Sequence, residues 1–254
     1  MPSQEICWNE ETYKQLITHL IKNQADEKYK AYQRLVIGPD KNLMGIKYVH
    51  IREAAKKIAK ENWEEFLEFR PEKIYLEETL LRGLVICFAK TSYETRVKYI
   101  LDYMPEVNSW FICDHFISNL KFIKEDTERF YDIIKMWLKF KNIWYLRAAY
   151  LALSNYYVSE KYFDDLKDIC REAKHSNEVV WSAAASLLTS MFLKFRDETY
   201  LFILNDRPFL NKFVFKRLGY NIIRSAQTSL ADKKAMKMFI GYKPEIKTSP
   251  RVKF

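Results

Sequence analysis

Val107-Asn108-Ser109-Trp110-Phe111-Ile112-Cys113-Asp114-His115-Phe116 follows Pro105 and opens on Asn108, a residue type that caps helix N-termini, so the stretch reads as the first turns of a helix. Trp110 and Asp114 are then i and i+4 and lie on one face of it. An indole beside a carboxylate on one helix face is uncommon on a plain surface helix. Core filling by Trp110 with a surface salt bridge at Asp114 is the bland reading. What decides between the two lies outward along the chain.

The same helical period dominates on both sides of this stretch. Residues 9–23 place Tyr13, Leu16, Ile17 and Leu20 on one side, and residues 26–37 place Tyr29, Tyr32, Leu35 and Val36 likewise. Gly38-Pro39-Asp40 breaks the second of these, and Gly45 supplies a turn before a helix running to about residue 62. That helix turns Ile51, Ala55, Ile58 and Ala59 inward and crowds Arg52, Lys56, Lys57 and Lys60 on its other side. A short helix over 63–69 ends before Pro71. A long one over 72–90 carries the stripe Leu76, Leu80, Leu81, Leu84, Val85 and Phe88, with Glu77 and Glu78 early and Arg82 and Lys90 late, as the macrodipole prefers. Further helices are expected over 93–104, 108–119, 126–140, 142–158, 160–173, 177–195, 197–204, 210–225 and 230–240.

Only 5 Gly and 7 Pro occur in 254 residues, too few turn residues for a β-rich chain, and no credible strand is found. The rhythm of paired helices of roughly 10–18 residues joined by short links predicts an all-α, HEAT-like helical-repeat solenoid of stacked helix pairs. No linker divides the chain. Residues 1–240 are expected to form one domain and residues 241–254 a flexible basic tail.

The 42 Lys and Arg against 33 Asp and Glu give a formal charge of +9, which favours a polyanionic partner, nucleic acid before membrane. Cys7, Cys87, Cys113 and Cys170 form no CxxC pair, and His19, His50, His115 and His175 are scattered, so no metal site is expected. A reducing cytoplasm fits the cysteine usage. The N-terminus lacks the pattern of a signal peptide, and no apolar run approaches the roughly 18 residues of a membrane span.

Asn142-Ile143-Trp144-Tyr145-Leu146-Arg147-Ala148-Ala149-Tyr150 sets Arg147 in an otherwise apolar run. Such an arginine either snorkels to solvent or finds a buried partner, and Asp114 is the obvious candidate.

Several segments, in order, resemble the AlkD-like DNA alkylation repair family of HEAT-like-repeat DNA glycosylases. They are Met44-Gly45-Ile46 with Val49-His50-Ile51-Arg52 and Ala55-Lys56-Lys57-Ile58, the run from Tyr75 to Ile86, Asn108-Ser109-Trp110-Phe111-Ile112-Cys113-Asp114, and Leu146-Arg147 with the helix after it. The resemblance implies a right-handed superhelix whose concave basic face cradles double-stranded DNA. It implies hydrolysis of the N-glycosidic bond of N3- and N7-alkylated purines by a monomer that uses no metal or organic cofactor. Trp110 matches the family's active-face tryptophan, Asp114 its catalytic carboxylate and Arg147 its arginine beside the lesion. Arg52 and Lys56, with Lys216 from the C-terminal helices, are expected to line the groove with Arg147.

Two features depart from that pattern. The family's second active-face tryptophan aligns with Ser186, and Trp181, five residues earlier, lies about 140° around the helix. Ser182, Ser186, Thr189 and Ser190 form a hydroxyl stripe that either touches phosphates or is a solvated ridge. Gly219 stands oddly inside the helix around Phe215-Lys216-Arg217-Leu218-Gly219-Tyr220. The alternatives to a glycosylase are a catalytically inactive relative that binds damaged or branched DNA through the same face, and a HEAT-type protein-interaction scaffold.

Overall fold

Backbone groups that no neighbouring turn can satisfy shape this molecule, because it is built of many short helices. The computed structural model describes residues 7–208 and 210–241. Among them are fourteen α-helices and three short 3-10 turns, and the one β-like contact is an isolated bridge between Ala25 and Ile46. The chain is all-α, as its periodicity indicates. The expected tail, beyond Gly241, lies outside the described residues. Packing divides the chain into two compact units, residues 1–152 and 153–254.

The first unit holds α1 (Glu10–Gln24), α2 (Glu27–Ile37), α3 (Tyr48–Ile58), α4 (Trp63–Glu68), α5 (Leu76–Phe88), α6 (Tyr93–Tyr103), α7 (Trp110–Asn119), α8 (Thr127–Leu138) and most of α9 (Ile143–Tyr156). Helix α3 packs on α5, and α5 on α7. The sequence suggested an apolar stripe on α5 with its charges ordered along the macrodipole. Instead the eleven residues from Leu76 to Ile86 are all buried, Glu77, Glu78 and Arg82 included. Each of these charges meets backbone groups left open by a loop or a helix end. The Glu77 carboxylate accepts the Met44 and Gly45 N–H groups, both at 3.0 Å, and burial pushes its pKa up. The Glu78 carboxylate accepts Ile74 N–H at 2.9 Å, Tyr75 N–H at 2.6 Å and the Tyr13 hydroxyl at 2.9 Å. This holds residues 72–75 off the helix, so the expected 72–90 helix shortens at its start. Arg82 donates to the carbonyls of Phe66, Leu67 and Phe69, closing the end of α4. Arg96 does the same for α5 through Ile86, Cys87 and Ala89.

The second unit holds α10 (Phe163–Glu172), α11 (Glu178–Lys194), α12 (Arg196–Asp206), α13 (Lys212–Arg224) and α14 (Leu230–Phe239). Helix α11 packs against α12 and α13, and α13 against α14. Val180, Ala184, Leu187 and Leu188 of α11 and Val214, Leu218 and Ile222 of α13 are buried there.

A period invisible as sequence identity shows in the polar links. Within the first unit Arg70–Glu106, Glu94–Arg129 and Asp114–Arg147 span 36, 35 and 33 residues. Within the second, Ser154–Ser190, Val158–Lys194, Asn211–His175 and Arg196–Asp232 each span 36, and Arg171–Asp206 spans 35. So constant an offset is what stacked helix pairs of that length produce.

Two glycines make a test of this packing. A Cβ on Gly83 would lie 2.5 Å from the ring of buried Tyr103, whose hydroxyl donates to Thr79 O at 3.0 Å. A Cβ on Gly219 would lie 2.5 Å from Cγ2 of Ile240, a half-buried residue just past the end of α14, and this close approach accounts for the glycine inside α13. Gly83→Ala is expected to cost about 1–3 kcal/mol, because a fixed ring must move. Gly219→Ala is expected to cost less than about 1 kcal/mol, since the gain in helix propensity offsets a side-chain shift. Urea unfolding of the two variants measures both, and an equal loss would contradict this packing.

Candidate active site

Helix α7 begins one residue later than its sequence suggests. Ser109, not Asn108, is the N-cap, its hydroxyl accepting Phe111 N–H at 3.2 Å. Trp110 is then the first helical residue, and its indole Nε1–H donates to the Val36 carbonyl at 3.1 Å. That carbonyl is among the last, otherwise open ones of α2, so the indole is pinned at the end of a neighbouring helix.

One turn on, Asp114 meets Arg147 from α9. Arg147 Nε donates to Asp114 Oδ1 and Nη2 to Oδ2, both at 2.7 Å, a bidentate pair. Asp114 and Arg147 are thus joined across α7 and α9, with Trp110 one turn before Asp114 on α7. The exposure of this pair is the reverse of that in two arginine–aspartate pairs of the second unit. In Arg171–Asp206 and Arg196–Asp232 the arginine side chains are 36% and 51% exposed and the carboxylates 17% and 4%. In Arg147–Asp114 the arginine is 11% exposed and the carboxylate 35%. A buried cation here presents an anion outward. The guanidinium occupies one acceptor direction on each carboxylate oxygen, which leaves the others for an incoming group.

Around the pair lies a network that sequence reasoning missed. His115 stacks on Tyr48 with ring centroids 3.8 Å apart and 7° between planes, and meets Phe111 edge-on at 4.8 Å. Asn119, four residues beyond His115, donates to the Tyr48 hydroxyl at 2.7 Å and to the His115 carbonyl at 2.6 Å. Arg52 reaches Asn119 Oδ1 at 3.5 Å and sits over the Phe88 ring. Lys56, a turn further along α3, is exposed and lies over the same ring. Arg52 therefore joins the site through Asn119, and Lys56 continues beyond it. The i, i+4 spacing of His115 and Asn119 is the one sequence signal that marks this network.

Ser186 and Lys216 belong to the second unit. Lys216 is exposed on α13. Ser186 is half-buried, and its hydroxyl donates back to Ser182 O at 3.1 Å. Thr189 bonds Ala185 O, and Ser190 pairs with Ser154. The hydroxyl stripe is thus spent largely on its own helices. Trp181 stacks on Phe213 at 5.9 Å with 19° between planes, away from the position of Ser186. Among the described residues no three His, Cys, Asp or Glu side chains are grouped to hold a metal ion, and no helix is long and apolar enough to cross a membrane.

The described residues are all-α, and the Asp114 carboxylate is held toward solvent one turn from the Trp110 indole. The sequence model of the DNA alkylation repair enzyme family matches residues 16–217, and the chain belongs to that family. No curated protein and no solved structure matches it significantly. Family membership carries a role in DNA repair, with DNA as the partner.

Burial pushes the His115 pKa below the ordinary imidazole range, and the Asp114 carboxylate opposes that shift without cancelling it. The folded protein therefore holds His115 neutral where the unfolded chain, near its usual value of about 6.5, takes up a proton. The stack contributes fully above that pH, and its contribution is lost as pH falls below it. His115→Phe keeps a ring against Tyr48 and is expected to melt with a shallower pH dependence than wild type between pH 7 and 5. Identical slopes in thermal denaturation would contradict a neutral, stacked His115.

Proposed function

We propose that this protein is a DNA glycosylase that hydrolyses the N-glycosidic bond of N3- and N7-alkylated purines in duplex DNA, working as a monomer of stacked HEAT-like helix pairs without a metal. The observation that carries the reading is the inverted ion pair, a carboxylate turned outward and held by a buried arginine one turn from an indole. An N-alkylated purine is already cationic and leaves readily, so no strong general acid is required. Bond breaking leaves an oxocarbenium-like sugar, as in glycoside hydrolysis. Asp114, fixed by two hydrogen bonds before the substrate arrives, stabilises that cation and orients a water through its remaining lone pairs. Trp110 holds the cationic base or sugar by a cation–π contact worth about 0.5–2 kcal/mol. Arg147 keeps Asp114 in place, while Arg52, Lys56 and Lys216 meet phosphates.

A second reading has its own observation. Ser186 stands where the family has a second tryptophan, and its hydroxyl is turned back into α11. On that ground the chain is a DNA-binding relative without catalysis. One experiment separates the two: release of base from duplex DNA carrying N7-methylpurine under single-turnover conditions. If the protein is a glycosylase, wild type exceeds the spontaneous rate and Asp114→Asn lowers release by about 10²-fold or more while duplex binding persists. Ser186→Trp is expected to raise the rate. Equal, near-spontaneous release by wild type and Asp114→Asn would replace the enzyme by the binding protein. In either case duplex affinity should fall steeply with salt, through counterion release. Tight binding indifferent to salt would point to the protein-interaction scaffold.

A further inference from the structure

Arg52 faces two neighbourhoods, Asn119 on one side and the Phe88 ring on the other. Phe88 is also one wall of an open cleft of about 520 Å³ at the turn between α3 and α4. Lys56, Lys60 and Lys90 line it together with Glu61 and Trp63. Its size falls within the roughly 300–1,000 Å³ typical of small-ligand sites.

Three lysines converge there against one carboxylate. None of the three forms a side-chain hydrogen bond or ion pair with a described residue, whereas Lys14, Lys135 and Lys167 each pair with a nearby acid on their own helix. Lysines are favoured near helix C-termini for their complement to the dipole. That does not account for Lys90, because Arg96 already satisfies three carbonyls at the end of α5. The mutual repulsion of three uncompensated cations is relieved by an anion. The aromatic wall adds a second requirement. Trp63 is half-buried and held edge-on by Tyr99 at 5.5 Å and 74°, which fixes the plane of its indole. Phe88 already has Arg52 and Lys56 over its ring, so Trp63 is the ring left to receive a flat group.

We propose that this cleft binds an unpaired nucleotide of a DNA strand, with its phosphate among Lys56, Lys60 and Lys90 and its base against Trp63. The inference rests on DNA as the partner and concerns a part of the strand that the Asp114 site does not touch. A duplex hides its base faces in the stack and offers such a cleft only phosphate. An unpaired nucleotide offers phosphate and π-face together, the combination that single-strand sites use.

The test compares the affinity of the full chain for a blunt duplex and for the same duplex with a short 5′-phosphorylated single-stranded overhang, at fixed salt. Wild type is expected to bind the overhang duplex about tenfold more tightly, the scale of one base–aromatic stack. Lys60→Gln/Lys90→Gln and, separately, Trp63→Leu are expected to reduce that ratio to less than about twofold. Taking the ratio removes the general loss of phosphate attraction shared by both duplexes. A wild-type ratio of one would overturn the proposal, as would a ratio unchanged in the double variant. Competition by free 5′-dAMP without any overhang effect would also overturn it, in favour of a free nucleotide. Asp114→Asn is expected to keep the full ratio, so failure of the glycosylase reading and failure of this one are read separately.

Discussion

Satisfaction of backbone groups at helix ends by charged side chains from neighbouring elements is the interaction on which this structure depends. Short helices expose many open carbonyls and N–H groups, and a buried open group costs about 1–3 kcal/mol. Arg82 and Arg96 close the ends of α4 and α5, and Glu77 and Glu78 close the loops before α5. These buried charges are tolerated because every one meets its hydrogen-bond partners. Trp110 belongs to the same scheme, since its indole closes the end of α2 and is oriented by doing so.

The candidate site is a variation on the links between successive helix pairs. Asp114–Arg147 spans 33 residues, close to the spacing of the structural pairs, but the burial of its two partners is exchanged relative to Arg171–Asp206 and Arg196–Asp232. With the arginine inside, its geometry is fixed by the protein interior. With the carboxylate outside, its negative charge is offered to solvent and to a substrate. On the proposed reading, this exchange turns a stabilising link into a reactive group without new architecture. The stacked His115 and Tyr48, tied by Asn119, brace the same turn of α7 and carry the basic side of α3 up to it.

Periodicity made most helices legible, because burial of one face is written at every third or fourth position. The residues of the site were legible for a different reason: Trp110 with Asp114 and the isolated Arg147 break the pattern of an amphipathic or apolar helix. What the sequence did not show is the role of residues that answer a distant backbone. Glu77, Glu78 and Arg82 follow the macrodipole along α5, and only the proximity of the 44–45 turn and the end of α4 explains their burial. Ser109 displaced Asn108 as N-cap although both residue types serve. The 33–36-residue spacing of the polar links could not be read as identity, since they use different side chains at each step.

The central claim is that Asp114 is presented to stabilise a sugar cation. Affinity for duplex DNA holding a cationic pyrrolidine analogue of the oxocarbenium sugar, compared with its neutral tetrahydrofuran counterpart, measures this most directly. The expected result is a preference for the cationic analogue of about tenfold or more in wild type that disappears in Asp114→Asn. Equal affinity of wild type for both analogues, or a preference that survives Asp114→Asn, would contradict it.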